Sequence, residues 1–158
     1  MALNVGDRAP NFTLYDQDRN KRSLVEFFGK PIVLAFFPGA FTGVCDTEMC
    51  TLRDSIHRFS EANARVIGIS VDSPFVLKEF ATKYALPFVL LSDFDRAVTK
   101  QYGLLFENLG GVEGYHTSNR AVFILDSNGT IRYSWIASPT PAVEPPYDDV
   151  IAQTKALA

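Results

Sequence analysis

The chain has 158 residues, of which 47% are hydrophobic, including 13 Phe, and this is enough apolar material for one packed domain over residues 1–158. Lys and Arg number 15 against 18 Asp and Glu, giving a formal net charge of −3. Because no basic block could neutralise a run of phosphates, we expect neither nucleic acid nor an anionic membrane surface as a partner.

The predicted elements begin with two short strands, at 11–15 and 23–25, on either side of a polar turn, which favours an N-terminal β-hairpin. The elements predicted after it, in chain order, are a strand at 32–37, a helix from about 43 to 63, a strand at 65–71, a helix from 74 to about 85, a strand at 87–91, a short helix from about 95 to 102, strands at 121–125 and 130–136, and a last helix from about 147 to 157.

Local signals support these assignments. The run 32–37 is apolar throughout, as in a strand buried on both faces of a sheet. Ser73-Pro74 is typical of a helix start, and we expect Phe75, Phe80, Ala81 and Tyr84 to form the apolar side of that helix. Asn128-Gly129 favours a hairpin turn. Alternating strands and helices closed by an antiparallel pair predict the α/β or α+β class, with a mixed sheet flanked by helices.

The N-terminal residues lack the basic start and apolar core of a signal peptide, and no apolar run approaches the ~20 residues of a membrane span. We therefore expect a cytoplasmic protein. The chain has two cysteines, Cys45 and Cys50. These are too few for a disulfide scaffold, and in a reducing compartment a close pair more often serves redox chemistry or metal binding.

Cys45 falls in or beside the first turn of the helix predicted from about residue 43. Unpaired backbone N–H groups of a first turn stabilise a thiolate, so we expect the pKa of Cys45 to be lowered. Thr42 can cap this helix or donate a hydrogen bond to the group that the sulfur attacks. Asp46 and Glu48 act in the opposite direction, because a nearby negative charge raises the pKa of a thiol.

A cation must offset these carboxylates, and Arg53, Arg58 and Arg120 are the candidates. We favour Arg120, because it precedes a buried-looking strand that could lie beside the strand at 32–37. Glu48 could then orient the guanidinium through a bidentate pair. Without the motif around Cys45, a solvated surface charge would be the more common role for either Arg120 or Glu48.

The spacing of Cys45 and Cys50 limits what they can do together. In a regular helix their Cα atoms lie roughly 8 to 9 Å apart, beyond the ~7 Å limit for a disulfide. They can bond only if the helix unwinds, so a disulfide here would be a reaction intermediate. Cys50 could also be a small buried core residue.

Two other kinds of site could be built from the same cysteines. A zinc site would need further ligands, and His57 and His116 offer no second paired spacing. A thiol hydrolase would use Cys45 with His116 as its base, although no feature marks His116 as more than a loop histidine. We expect neither a metal nor another cofactor.

The run from Pro38 through Thr42 to Cys45 matches the Pro-x-x-x-Thr-x-x-Cys motif of the peroxiredoxins, and Arg120 with the strand after it resembles the arginine-bearing strand of that family. The resemblance extends over nearly the whole chain. It implies a thioredoxin-like fold with an N-terminal β-hairpin extension, and a peroxidase that needs no cofactor. Such proteins occur as monomers or homodimers.

By this resemblance Cys45 is the peroxidatic cysteine, Thr42 holds the peroxide, Pro38 shields the sulfur, and Arg120 stabilises both the thiolate and the transition state. Glu48 belongs to the same pocket. The substrates implied are hydrogen peroxide and organic hydroperoxides, and the sulfur becomes a sulfenic acid.

The position of Cys50 is similar to that of the resolving cysteine in the bacterioferritin comigratory protein (peroxiredoxin Q) group. A 45–50 disulfide would then be reduced by a thioredoxin or a glutaredoxin-like dithiol. Other features resemble the alkyl hydroperoxide reductase E group, which works with one cysteine and an external thiol. A redox-sensing interaction protein, whose cysteines switch a partner surface, is the remaining alternative.

Overall fold

The computed structural model describes residues 3–157. Its strands are β1 (Thr13–Asp16), β2 (Lys21–Ser23), β3 (Ile32–Phe36), β4 (Arg65–Ser70), β5 (Val89–Ser92), β6 (Leu105–Phe106), β7 (Thr117–Ser118), β8 (Ala121–Leu125) and β9 (Ile131–Ile136). Its α-helices are α1 (Gly43–Asp54), α2 (Ile56–Glu61), α3 (Pro74–Tyr84), α4 (Ala97–Gln101) and α5 (Tyr147–Lys155). Within residues 3–157, no helix is long and apolar enough to cross a membrane.

Seven strands form one mixed sheet in the order β2-β1-β5-β4-β3-β8-β9. The central strands β3, β4 and β5 are parallel, whereas β8 lies antiparallel to β3 and β9 antiparallel to β8. The β1–β2 hairpin extends the sheet at its other edge. The predicted mixed sheet with an N-terminal hairpin is therefore present.

Helices cover both faces of this sheet. In the sheet, β4 lies beside β3 and β5 lies beside β4 on the same side. Because crossovers between parallel strands are right-handed, the helices that connect these strands lie on one face of the sheet. Side chains of α1, α2, α3 and α5 form a core with one set of alternating β3 residues, Val33 and Ala35. The other set, Ile32, Leu34 and Phe36, packs against α4 and the N-terminal segment. All five β3 residues are buried, as the apolar run predicts.

The prediction of one continuous helix from about 43 to 63 is wrong. The helix breaks at Ser55, which lies between α1 and α2 with a backbone conformation outside the helical region (φ −101°, ψ 5°). Asp54 and Ser55 both form helices poorly, because their side chains compete for backbone hydrogen bonds. A separate helix, α2, begins at Ile56 after this break, and its residue Phe59 is buried in the core.

Two further predictions near the surface need correction. The second hairpin strand lies at Lys21–Ser23, because Ser23 and Glu26 form a capping box that starts a 3₁₀ turn at Leu24. Phe75 does not join the apolar side of α3, since 67% of it is exposed while Leu77 and Phe80 are buried. Its ring instead lies against the Arg19 guanidinium.

Candidate active site

Cys45 lies close to the carboxyl end of β3, an inner strand of the sheet, at the start of α1. Phe36, the last residue of β3, pairs with Ala121 at the start of the antiparallel neighbour β8. The chain then turns and enters α1 at Gly43, with Thr42 as the N-cap residue. Cys45 is therefore in the first turn of α1, and the residue preceding β8, Arg120, approaches it from the adjacent strand.

Arg120 uses three of its nitrogens to join the site together. Nη2 donates to Cys45 Sγ over 3.0 Å, Nη1 donates to Glu48 Oε1 over 2.6 Å, and Nε donates to the Pro141 carbonyl over 2.7 Å. Arg120 is 2% exposed, and Cys45 and Glu48 are fully buried. The rigid guanidinium thus fixes the positions of the thiol and the carboxylate at once.

The Glu48 pair is monodentate, which corrects the bidentate arrangement expected from the sequence. Only Oε1 meets Arg120, because the second terminal nitrogen is directed to Cys45. Among the described residues Glu48 Oε2 has no hydrogen-bond partner. Burial raises the pKa of Glu48 to about 7, although Arg120 acts to lower it. Glu48 therefore exchanges its proton near neutral pH.

The pKa of the Cys45 thiol is also raised, contrary to the sequence-based expectation. Burial is the largest cause, because it removes water from the charged form. The charge of Arg120, hydrogen bonding from Thr42 and the Gly39 backbone, and the Arg120 hydrogen bond all lower the pKa, but they offset burial only in part. A thiolate at this position thus depends on Arg120 for its charge balance.

Thr42 does not cap α1 with its side chain. Its hydroxyl donates to the Gly39 carbonyl over 2.8 Å. Because a hydroxyl has one proton, donation to this carbonyl and donation to the sulfur or to a bound molecule are alternatives. A rotation of the hydroxyl is enough to change between them.

A cleft of about 650 Å³ opens over this site. Pro38, Thr42 and Arg120 line its inner part. Its outer wall comes from the end of β6, the loop between β6 and β7 and the segment before α5, and includes Phe106, Leu109, Val112, Tyr115, Pro141 and Ala142. The outer wall is mostly apolar, and the inner part reaches Arg120, whose guanidinium contacts the buried thiol.

Cys50 is not part of this cluster. It is half-buried in the second turn of α1, and both cysteines are free thiols. Since α1 is continuous from Gly43 to Asp54, regular helix geometry keeps their Cα atoms roughly 8 to 9 Å apart. The structure therefore brings together Pro38, Thr42, Cys45, Glu48 and Arg120, and leaves Cys50 apart.

The other sequence candidates lie in different surroundings. Arg53 pairs with Asp54, and Arg58 lies 3.7 Å from Asp148 on α5. His116 Nδ1 accepts a hydrogen bond from the Asn108 backbone within the β6–β7 loop. Between residues 3 and 157, no group of three or more His, Cys, Asp or Glu side chains has the arrangement to hold a metal ion.

Sequence reasoning missed several contributors to the site. The Pro141 carbonyl lies between the last predicted strand and the last predicted helix, where no element is predicted, and β6 and β7 have two residues each, too few for a periodic signal. The ring of Tyr84 packs against the core as expected, but the sequence does not predict that its hydroxyl donates to Asp46 in the first turn of α1. Glu48 itself hints at this network, since a carboxylate on the inner side of a helix requires a buried partner.

Residues 5–134 match the AhpC/TSA family over most of the chain. The chain belongs to the AhpC/TSA family. Among curated members, the chloroplastic peroxiredoxin Q of Oryza sativa subsp. japonica is 44% identical over 131 residues, covering 83% of this chain and 58% of the relative. Peroxiredoxin Bcp of Escherichia coli strain K12 is 38% identical, covering 83% of this chain and 84% of the relative. This AhpC/TSA chain thus spans little more than half the length of its plant relatives.

The solved structures agree with the fold of this AhpC/TSA protein. Peroxidoxin BcpB of Mycobacterium tuberculosis is 28% identical, with a TM-score of 0.86 and 99% of each chain covered. A peroxiredoxin-like protein of Aquifex aeolicus is 29% identical, with a TM-score of 0.85, covering all of this chain and 90% of the other. The predicted thioredoxin-like peroxiredoxin fold is confirmed.

Proposed function

We propose that this AhpC/TSA-family protein is a thiol peroxidase that reduces peroxides at Cys45. The observation that carries the proposal is the 3.0 Å contact between Arg120 Nη2 and Cys45 Sγ inside a buried site. A fixed cation at this distance favours the thiolate, which is the nucleophile. The same cation stabilises the negative charge that develops on the peroxide oxygens during attack.

The reaction proceeds by displacement at oxygen. The Cys45 thiolate attacks one peroxide oxygen, a sulfur–oxygen bond forms and the oxygen–oxygen bond breaks. The departing oxygen takes a proton and leaves as water or an alcohol, so the sulfur is oxidised to a sulfenic acid and the peroxide is reduced. Thr42 and Arg120 supply hydrogen-bond donors on the side where the peroxide enters.

Cys50 is our proposed resolving thiol. Its sulfur attacks the Cys45 sulfenic acid, a disulfide forms, and the oxygen leaves as water. A thioredoxin or a glutaredoxin-like dithiol then reduces this disulfide and regenerates both thiols. A second candidate is direct reduction of the Cys45 sulfenic acid by an external thiol, and the observation that supports it is the continuous helix between the two cysteines.

The apolar cleft supports organic hydroperoxides as substrates alongside hydrogen peroxide. Its volume of about 650 Å³ far exceeds what hydrogen peroxide fills, and its apolar wall can bury an alkyl chain. With straight-chain alkyl hydroperoxides, we expect the rate constant to rise by about two- to fourfold per buried methylene group. Val112→Gln should reduce this rise, whereas Val25→Gln, an equally exposed position elsewhere, should leave it unchanged.

The direct test is peroxide consumption by the reduced protein. We expect the wild type to react far faster than a free thiol, Cys45→Ser to lose this reaction, and Cys50→Ser to retain the first turnover. Wild-type consumption no faster than that of a free thiol, with no effect of Cys45→Ser, would contradict the proposal.

A further inference from the structure

Helix α1 is tied to the last turn of α3 at two points, one before and one after Cys50. Tyr84 Oη donates to Asp46 Oδ2 over 2.6 Å, and Arg53 Nη1 donates to the Tyr84 carbonyl over 2.8 Å. Asp46 precedes Cys50 by four residues and Arg53 follows it by three, so all three lie on one side of α1. Tyr84 thus holds the helix both before and after Cys50.

Tyr84 is itself firmly placed. It is the last residue of α3, and its ring packs edge-on against Phe80 with the ring centroids 5.4 Å apart. Asp46 depends on this tyrosine, because its other oxygen, Oδ1, is buried without a hydrogen-bond partner among residues 3–157. The hydrogen bond to Asp46 is the largest cause of the raised pKa of Tyr84, as expected for a donor facing a carboxylate.

Disulfide formation requires this contact to break. The Cα atoms of Cys45 and Cys50 must approach to within ~7 Å, and a regular helix holds them farther apart. The segment between them, which includes Asp46, must therefore unwind. Any displacement of Asp46 from the first turn separates its carboxylate from the fixed Tyr84 hydroxyl.

We propose that Tyr84 is a positioning residue that keeps α1 closed through Asp46 and thereby sets the rate at which Cys50 reaches the oxidised Cys45. The proposal rests on the proposed function, with Cys50 as the resolving thiol. In the opened helix the Cys50 sulfur attacks the sulfenic sulfur of Cys45, the sulfur–sulfur bond forms and the sulfur–oxygen bond breaks. The oxygen leaves as water, taking the thiol proton of Cys50.

Tyr84→Phe tests this proposal, because it removes the hydroxyl and keeps the ring against Phe80. After one equivalent of hydrogen peroxide, rapid acid quenching and mass spectrometry measure the sulfenic acid and the disulfide separately. We expect disulfide formation to be about two- to tenfold faster, as the loss of one hydrogen bond allows, with formation of the sulfenic acid unchanged. Amide hydrogen exchange over residues 46–50 should accelerate by a similar factor.

Tyr133→Phe is the matched control, since that hydroxyl also faces an aspartate, Asp149, but joins β9 to α5 and not α3 to α1. It should change neither rate. Unchanged disulfide formation and amide exchange in Tyr84→Phe would overturn the proposal. Faster exchange without any disulfide, in the variant and the wild type alike, would overturn the rate assignment together with the role of Cys50. Failure of the wild type to consume peroxide would instead overturn the proposed function.

Discussion

The two cysteines of α1 lie five residues apart in very different surroundings. Cys45 is fully buried and is held by Arg120, which the sheet positions through β8. Cys50 is half-buried, and side chains of α1 before and after it contact the end of α3. Cys45 is held in place by the neighbouring strand, whereas Cys50 can meet it only after the helix opens.

This difference separates the chemistry into a rigid step and a mobile step. Helices and strands fix catalytic geometry better than loops do, and strand β8 positions Arg120 against Cys45 in this way. Local unfolding uses contacts of low stability, such as one or two hydrogen bonds near the surface. Substitutions can therefore change the surroundings of one cysteine and leave those of the other in place.

The largest effect is expected from Arg120→Met, which removes the cation from the Cys45 side. The pKa of Cys45 should rise further, and the rate of sulfenic acid formation at neutral pH should fall about 10²-fold, as for other lost donors to a developing anion. Stopped-flow measurement of peroxide consumption would check this. An unaltered titration of the Cys45 thiol would show that Arg120 does not control it.

The same variant leaves Glu48 buried without its cation. Above pH 7, where Glu48 is ionised in the wild type, the variant must either bury this charge unpaired or keep the carboxyl protonated, and we expect the free energy of unfolding to fall by about 3 to 5 kcal/mol. Adding Glu48→Gln should restore most of this stability without restoring the rate. If the double variant recovered both the stability and the rate of sulfenic acid formation, Arg120 would affect the reaction only by stabilising the folded protein.

A smaller effect is expected from Glu48→Gln alone. Glutamine keeps an acceptor for Arg120 Nη1 but removes a negative charge near the thiol, so the pKa of Cys45 should fall. The rate of sulfenic acid formation should then reach its plateau at lower pH than in the wild type. A pH–rate profile displaced to higher pH would contradict this account of the charge balance.

The stability of Glu48→Gln should also depend less on pH. Native Glu48 titrates at about 7, above its ordinary value of 4.5. Between these values the folded chain holds a proton that the unfolded chain releases, so Glu48 makes the protein less stable as the pH rises through this window. Denaturant unfolding of both proteins from pH 4.5 to 7 should show a smaller decline in the variant.

Much of the Cys45 side could be predicted from the sequence, because it follows from local patterns. The apolar run at 32–37 predicts β3, and the spacing of Pro38, Thr42 and Cys45 predicts the turn into α1. The position of Arg120 before a second buried strand predicts its approach to the thiol. Arg120 and Cys45 are far apart in the chain, but they become neighbours in the fold because β8 pairs directly with β3.

The sequence gives much less information about the Cys50 side and the balance of charge. The contact between Tyr84 and Asp46 joins two helices through residues that are 38 positions apart in the chain, and it follows no periodic pattern. Phe41 adopts a left-handed backbone with φ of 65°, unusual for a bulky residue, and packs against Phe80 of α3. The raised pKa of Cys45 reflects the depth of burial, which is a property of the assembled fold.

The most direct test of the central claim is the product formed by the reduced wild-type protein after one equivalent of hydrogen peroxide. Peptide mass spectrometry with alkylation of free thiols identifies the state of each cysteine. The account predicts a transient sulfenic acid at Cys45 followed by a Cys45–Cys50 disulfide within one chain. A persistent sulfenic acid at Cys45, with Cys50 still alkylated as a free thiol, would contradict it.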